Sequence, residues 1–572
     1  MSTQTPFPTG TSLVYLLAAS AGLMLGLEPV AWAVPTRGHR VLISGPSPYA
    51  VEVGKDVAER GGNAVDVAVA AALSLAVTHP YFGSLGGGGF AVLSTKAGKI
   101  EALDFRETAP KSANPALYND QLKDASILGP VAVGVPGLPA GLWELQHKRG
   151  KLHWSQLFPR VIDLASKGFQ VSGEWVDVTD KEIERFSPAG TRLFRRNGHP
   201  FRPGDVLKQP ALAKLLKEMS VRGTAPFYQG LAARDIVDTL NAVASRSPGA
   251  PEGRVTITLE DMRGYKPRWL EPLKAEYRGY ELWSFPPPSS GGIVSQSALG
   301  LLDLFAGGKE AKPLSVDEFH RIAEALKLAF RGRSKLGDPA FVKNPTLALL
   351  SPSFLIEEAK LFRADKSIDV APLKILPPFE HEETTHLSVM TADGEGVAMT
   401  VTLNGSYGSG VVSEKYGIAL NNEMDDFESR PGQANMYGLI QGKANEVEAG
   451  KRPLSSMTPT LVTKDGRLSW VVGAPGGPRI ISAVTQTLYR ALALGLNADR
   501  AVQAPRVHHQ FLPDVLYVDP ERFSPETLDG LRAKGHVVQT GSVGKAYAIH
   551  LGPDGILEGA FDARGEGAVG GY

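Results

Sequence analysis

The sequence predicts an α+β fold, on three observations. Leu387, Val389, Val397, Met399 and Val401 are apolar at odd positions, while His386, Ser388, Thr400, Thr402 and Asn404 fall on even ones. This period-two alternation is interrupted by Ala392-Asp393-Gly394-Glu395-Gly396, a turn-like cluster, and predicts an antiparallel hairpin with one apolar and one polar face. The second observation is an Ala/Val-rich stretch between Ser47 and Pro80, which reads as two helices broken at Gly61-Gly62-Asn63. The third is a mainly helical, polar region from Arg149 to Gly264, which reads as an insert-like lobe.

In chain order, residues 12–34 form an apolar run ending near Ala31-Trp32-Ala33, a small-x-small cleavage pattern. The expectation is a signal peptide over 1–33, removed on export, with an uncleaved anchor as the alternative. Glu28 and Pro29 count against a full span, and no other segment is long and apolar enough. A periplasmic or secreted enzyme without a stable membrane anchor is expected. A strand over Phe90–Ser94 follows Gly86–Gly89, and Val316–Gly332 has helical periodicity. Residues 361–383, rich in Lys, Pro and Glu, read as an exposed tail where a chain cut is tolerated. Beyond the hairpin come a Gly/Asn-rich loop region and a C-terminal α/β portion, and the chain has no internal repeat.

Composition narrows the function. The 572 residues carry 60 Lys+Arg against 60 Asp+Glu, so there is no general electrostatic case for nucleic acid or anionic membranes. The absence of Cys excludes disulfides, thiol catalysis and thiolate metal sites.

Thr384 shares the even face of the hairpin with Thr402 and Asn404. A threonine hydroxyl alone is a poor nucleophile at neutral pH. A free α-amine on the same residue can serve as its base, with an unperturbed pKa near about 8. Such an amine exists only if the chain is cut before Thr384. The bland alternative is that Thr-Thr-His opens a strand.

The segments THPYFGSLGGGGF, DFRETAP, VPGLPAGLWE, FPPPSSGGI, the run from Thr384 to Phe427, KRPLSSMTPT, GAPGGPRII and APRVHHQF occur in this order. Together they resemble the bacterial gamma-glutamyltransferases across nearly the whole mature chain. The resemblance implies an N-terminal-nucleophile hydrolase sandwich, two stacked antiparallel sheets covered by helices on both sides (αββα). It also implies a precursor that cuts itself between Glu383 and Thr384. The products would be a large subunit, 34–383, and a small subunit, 384–572, that stay associated.

The implied substrate is a gamma-glutamyl compound such as glutathione, and both charges of its glutamyl end need partners. Arg106 matches the arginine that pairs with the α-carboxylate, a task suited to a planar donor fork. Ser455 and Ser456 match a serine pair on the same carboxylate. Asn404, Glu423 and Asp426 match the groups that hold the α-ammonium. Gly476 and Gly477 match the pair whose N–H groups form the oxyanion hole. Thr402 matches the threonine bonded to the nucleophile's amine, and Tyr437 a tyrosine on a lid over residues 431–442. Singly, each has an ordinary reading: a structural ion pair, a loop, a tight turn. The acidic run Asn421–Asp426 could also take calcium, although it lacks EF-hand spacing.

Three other matches fail. Gly86–Ala91 loosely fits a dinucleotide fingerprint but precedes a strand, not a helix. Ser542-Val543-Gly544-Lys545 lacks the partner motifs of penicillin-binding enzymes. His508-His509 lacks ligand spacing and reads as packing or hydrogen bonding. Two departures from relatives stand out: His381-Glu382-Glu383 before the cut, and Ala563 where relatives often have Pro.

The function expected is a self-processing gamma-glutamyltransferase that passes the glutamyl group to water, amino acids or peptides, with no metal or organic cofactor. The alternatives are a glutaryl-type acylase of the same fold and a non-catalytic exported binding protein.

Overall fold

The computed structural model describes residues 35–118, 124–245, 257–370, 384–519 and 521–572. The expected signal segment 1–33 and Glu383 lie outside them.

Two seven-stranded sheets, antiparallel at every pairing, face each other. The first runs, across the sheet, Ala568–Gly571, Val41–Gly45, Thr385–Thr391, Gly396–Thr402, Gly88–Ser94, Ile100–Asp104 and Arg268–Leu270. The second runs Thr36–Gly38, Leu557–Phe561, Tyr547–Leu551, Arg467–Gly473, Thr460–Lys464, Tyr280–Ser284 and Leu273–Tyr277. The expected hairpin is central in the first sheet, with Thr385 opposite Val401.

Its odd-numbered face, Leu387, Val389, Val397, Met399 and Val401, packs with the helices Pro48–Glu59 and Ala64–Thr78. Its even-numbered face looks across to the second sheet. Ser388 Oγ lies 3.3 Å from the Val471 carbonyl and 3.1 Å from that of Tyr547, within donating distance of each. The His386 ring sits between Thr400 Oγ1 (2.8 Å) and Ser388 Oγ (3.1 Å), where burial lowers its pKa to about 3. Gly473 makes room for it: a Cβ there would lie 2.1 Å from the ring. The polar face is thus an inter-sheet seam whose hydrogen-bonding groups are satisfied internally.

Outside the second sheet, Gly291–Ala306, Val316–Arg331 and Arg479–Leu492 bury Ala298, Ile322 and Val484 in a core shared with Leu461, Val471 and Ala548. Helices cover both outer faces, which gives the αββα order. The helix break at Gly61-Gly62-Asn63 is confirmed and has a physical cause. Asn63 Oδ1 accepts from Asp66 N (3.0 Å) and Asp66 Oδ2 from Asn63 N (3.1 Å), a capping box. The described residues of 149–264, which are all but 246–256, are mainly helical as expected but form no separate lobe. Phe158, Trp175, Leu216 and Ile236 join the same core as the 64–78 helix.

The glycine run before Phe90 serves close approach. A Cβ at Gly87 would lie 2.2 Å from the Thr402 carbonyl oxygen, and one at Gly89 2.2 Å from that of Thr400. The run thus lets this strand lie against the hairpin. Of the expected tail, 361–370 is largely exposed yet pinned. Ser367 N donates to the Lys534 carbonyl (2.7 Å) and Ile368 N to Glu324 Oε2 (2.8 Å). Residues 371–383 lie outside the described residues. Among the described residues, no helix is long and apolar enough to cross a membrane.

Candidate active site

Thr384 precedes the first residue of a central strand, and this places its side chain. It is 6% exposed, and its Oγ1 lies 3.1 Å from Thr402 Oγ1 on the neighbouring strand. Thr402 Oγ1 accepts from Asn404 N (2.8 Å), which leaves its own hydroxyl proton free to point to Thr384. Thr384 has φ 112°, a backbone region that a β-branched residue rarely adopts and that stores strain.

A small cavity of about 20 Å³ is lined by Thr384, Thr402, Arg106, Asn404, Glu423, Asp426, Tyr437, Ser455, Ser456 and Gly477. These ten were all singled out from the sequence, although they lie on segments far apart in it. Gly476 adjoins the cavity without lining it. Leu439, Met457, Pro478 and Ile480 complete the wall and carried no sequence signal.

The charged end is buried. Arg106 Nη1 forms an ion pair with the Glu423 carboxylate, and Nη2 lies 2.5 Å from Asp426 Oδ2. Its Nε donates to the Pro453 carbonyl (3.3 Å). Burial pulls the guanidinium pKa down, but Glu423, Asp426 and Glu107 outweigh burial and hold it above its ordinary value. Burial pushes the carboxyls of Glu423 and Asp426 up against the opposing pull of Arg106. Glu107 is fully buried and burial raises it to about 8.

The acidic run is held by its own amides. Asn421 Nδ2 donates to the carbonyls of Gly86 and Gly134 (both 2.8 Å), and Asn422 Oδ1 accepts from Gly405 N (2.7 Å). Asp425, which was not singled out, anchors the following loop. Its carboxylate accepts from Met436 N (2.9 Å) and Ser126 Oγ (2.7 Å). From that loop Asn435 Nδ2 reaches Asp426 Oδ1 (3.2 Å), and Tyr437 OH donates to the Asn404 carbonyl (2.5 Å). Tyr437 is 3% exposed, and its ring lies over Gly477, where a Cβ would come within 2.8 Å.

Gly476 (φ 115°) and Gly477 (φ 54°) turn the chain from the Arg467–Gly473 strand into the Arg479–Leu492 helix. Their N–H groups donate no hydrogen bond among the described residues. Ser455 Oγ accepts from Met457 N (3.1 Å) and Ser456 Oγ from Arg333 Nη2 (3.4 Å). Arg333 escaped sequence reading because, near the end of a helix, it reads as a surface charge. It is 3% exposed.

Both adjacent histidines are buried and hydrogen-bonded, within the packing or hydrogen-bonding role expected of them. His508 bridges Ser482 Oγ (2.7 Å) and Gln510 Oε1 (2.9 Å), and His509 Nε2 meets Asp514 (3.0 Å). His320, Glu324 and His536 also gather ligating atoms within 4.8 Å of one another. Internal bonds occupy them: His320 Nδ1 to His536 Nε2 (2.8 Å), and Glu324 with Ser367 Oγ (2.9 Å) and Ile368 N. At Ala563 the backbone N–H donates to Gln503 Oε1 (3.3 Å), a bond proline could not make.

The family model for gamma-glutamyltranspeptidase matches residues 50–572. The glutathione hydrolase proenzyme of Escherichia coli (strain K12) is 40% identical over 554 residues, 94% of this chain and 93% of that protein. That of Bacillus subtilis (strain 168) is 33% identical over 561 residues, 93% and 91% of the two chains. Among solved structures, a cephalosporin acylase from Bacillus halodurans superposes with a TM-score of 0.81 at 25% identity, over 96% of this chain and 99% of that one. The gamma-glutamyltranspeptidase of Pseudomonas nitroreducens, complexed with L-DON, gives 0.52 at 34% identity, over 57% of this chain and 95% of that one. The chain belongs to the gamma-glutamyltranspeptidase family.

Proposed function

We propose that this gamma-glutamyltransferase and glutathione hydrolase cuts its own precursor before Thr384 and then uses Thr384 as its nucleophile. One observation carries the reading: the Thr384 hydroxyl shares a buried cavity with a cation, Arg106, and two carboxylates, Glu423 and Asp426. That charge set is complementary to an amino acid's α-carboxylate and α-ammonium.

In processing, Thr384 Oγ1 attacks the Glu383 carbonyl carbon, and the Glu383–Thr384 C–N bond breaks. The nitrogen leaves as a free α-amine, and water hydrolyses the resulting ester. The strained φ at Thr384 favours release of that bond. Subunits 34–383 and 384–572 remain paired, because each supplies hydrogen-bonded strands to both sheets.

In turnover, Arg106, Ser455 and Ser456 take the α-carboxylate, while Asn404, Glu423 and Asp426 take the α-ammonium. Thr384 Oγ1 attacks the γ-carbonyl carbon and gives its proton to its own amine, which Thr402 orients. The oxyanion rests on the N–H groups of Gly476 and Gly477. The leaving amine takes the proton, and Tyr437 covers the glutamyl-enzyme until water or an acceptor amine attacks it. These steps draw on no metal or organic cofactor.

The N-terminal run 12–34 supports export to the periplasm or medium. A glutaryl-type acylase would have no use for the Glu423–Asp426 pair, and the higher sequence identities lie with glutathione hydrolases. The test is turnover of glutathione and γ-glutamyl-p-nitroanilide beside glutaryl-p-nitroanilide. Preference for the γ-glutamyl compounds is expected, and preference for the glutaryl compound would overturn the substrate assignment.

A further inference from the structure

Ser455 and Ser456 both use their Oγ atoms as acceptors, from Met457 N and Arg333 Nη2, and neither donates within the described residues. Their hydroxyl protons are therefore left for the cavity, the polarity that an anionic ligand needs. Arg333 explains how this polarity is kept. A guanidinium has donors only, so Ser456 cannot turn and donate to it.

Arg333 lies behind both serines. Its Nε donates to Ser290 Oγ (3.1 Å), and Ser290 Oγ donates in turn to the Ser455 carbonyl (2.8 Å). Its Nη1 donates to Gln441 Oε1 (2.7 Å), at the end of the loop that carries Tyr437. It has no carboxylate within 4 Å among the described residues, although Asp426 and Arg106 act on it electrostatically. A buried cation without a direct counter-ion is costly. Here it adds a second positive charge beside Arg106 against the two carboxylates Glu423 and Asp426.

We propose that Arg333 is a positioning residue for the substrate's carboxylate: it holds Ser456, and through Ser290 the Ser455 backbone, as the donor wall of that subsite, and ties the wall to the Tyr437 loop. The proposal rests on the γ-glutamyl reading of the cavity.

The test compares Arg333→Lys, which stays donor-only, with Arg333→Gln, which can also accept and so lets Ser456 reverse. Chain cleavage and thermal melting establish that each variant is folded. For γ-glutamyl-p-nitroanilide, Arg333→Gln is expected to raise KM about tenfold with a smaller change in kcat, and Arg333→Lys to recover most of that loss. For 4-aminobutyryl-p-nitroanilide, which keeps the ammonium and lacks the carboxylate, the Gln variant is expected to match wild type. Calorimetric titration with L-glutamate is expected to show the same order of affinities, wild type and Lys above Gln. An unchanged KM and glutamate affinity in Arg333→Gln would overturn the proposal, as would equal losses on both anilides. Wild-type protein that bound L-glutamate but turned over no γ-glutamyl anilide would sink the proposed activity instead. The glutamate titration would then decide Arg333 alone, and a variant that failed to fold would leave the decision to the Lys protein's glutamate affinity, where a tenfold loss would refute the role.

Discussion

Arg106 Nη2 lies 2.5 Å from Asp426 Oδ2, so the residue assigned to the substrate's carboxylate is paired with one assigned to its ammonium. Such a site exchanges the internal ion pairs of Arg106 with Glu423 and Asp426 for external ones when a zwitterion enters. A ligand with only one of the two charges leaves a buried partner unmatched, and this is the physical basis of its selectivity.

Asp426→Asn is therefore expected to separate the two substrate classes. Removing one partner of a buried charge pair costs about 2–5 kcal/mol, or roughly 10²-fold in kcat/KM for γ-glutamyl-p-nitroanilide. Glutaryl-p-nitroanilide keeps the carboxylate and lacks the ammonium, so its loss should be far smaller. Steady-state kinetics on both anilides checks this, and parallel losses would refute the assignment.

Gly477→Ala acts beneath the Tyr437 ring. The new methyl would stand 2.8 Å from the Tyr437 ring, at a backbone φ of 54° that disfavours a side chain. Displacing an oxyanion donor should lower kcat by roughly 10²-fold. Single-turnover acylation of the processed enzyme is the measurement, and an unchanged acylation rate would remove Gly477 from the oxyanion role.

Asp425→Ala should free the Tyr437 loop, because the Asp425 carboxylate holds Met436 N. Limited proteolysis is expected to cut within 431–442 faster than in wild type, with KM for the γ-glutamyl anilide raised several-fold. A cleavage pattern identical to wild type would mean that other contacts hold the loop.

Glu107 gives a pH signature. Burial raises its carboxyl from 4.5 to about 8, against the pull of Arg106 and Arg452 and with Asp426 adding to the rise. Between those values the folded state binds more protons than the unfolded one, so stability contributed by this group falls as pH climbs through the window. Glu107→Gln removes that loss. Its melting temperature relative to wild type should rise from about pH 5 to about pH 8.5. A difference independent of pH would show that Glu107 titrates normally.

The hairpin was legible in the sequence because period-two alternation is local, and it placed Thr384 beside Thr402 before any tertiary contact was known. The buried charge set was legible only through resemblance: Arg106 and Asp426 are 320 positions apart, and no local pattern joins them. Arg333, Asp425 and Glu107 were missed for a related reason. Each is a charged residue in a stretch where charge ordinarily means solvent, and only packing of distant segments buries them. The described part of 149–264 is legible as helix but not as part of the main body, because its scattered aromatic residues pack on one another and on the distant Tyr407, within the core that the 64–78 helix shares.

On the proposed mechanism, Thr384 makes its own α-amine by cutting the chain before it. Intact masses of the expressed protein, measured beside Thr384→Ala, decide whether it does. Two fragments, one beginning at Thr384, with the alanine variant uncut, are the expected result. A single uncut wild-type chain that nonetheless hydrolysed γ-glutamyl substrates would contradict it.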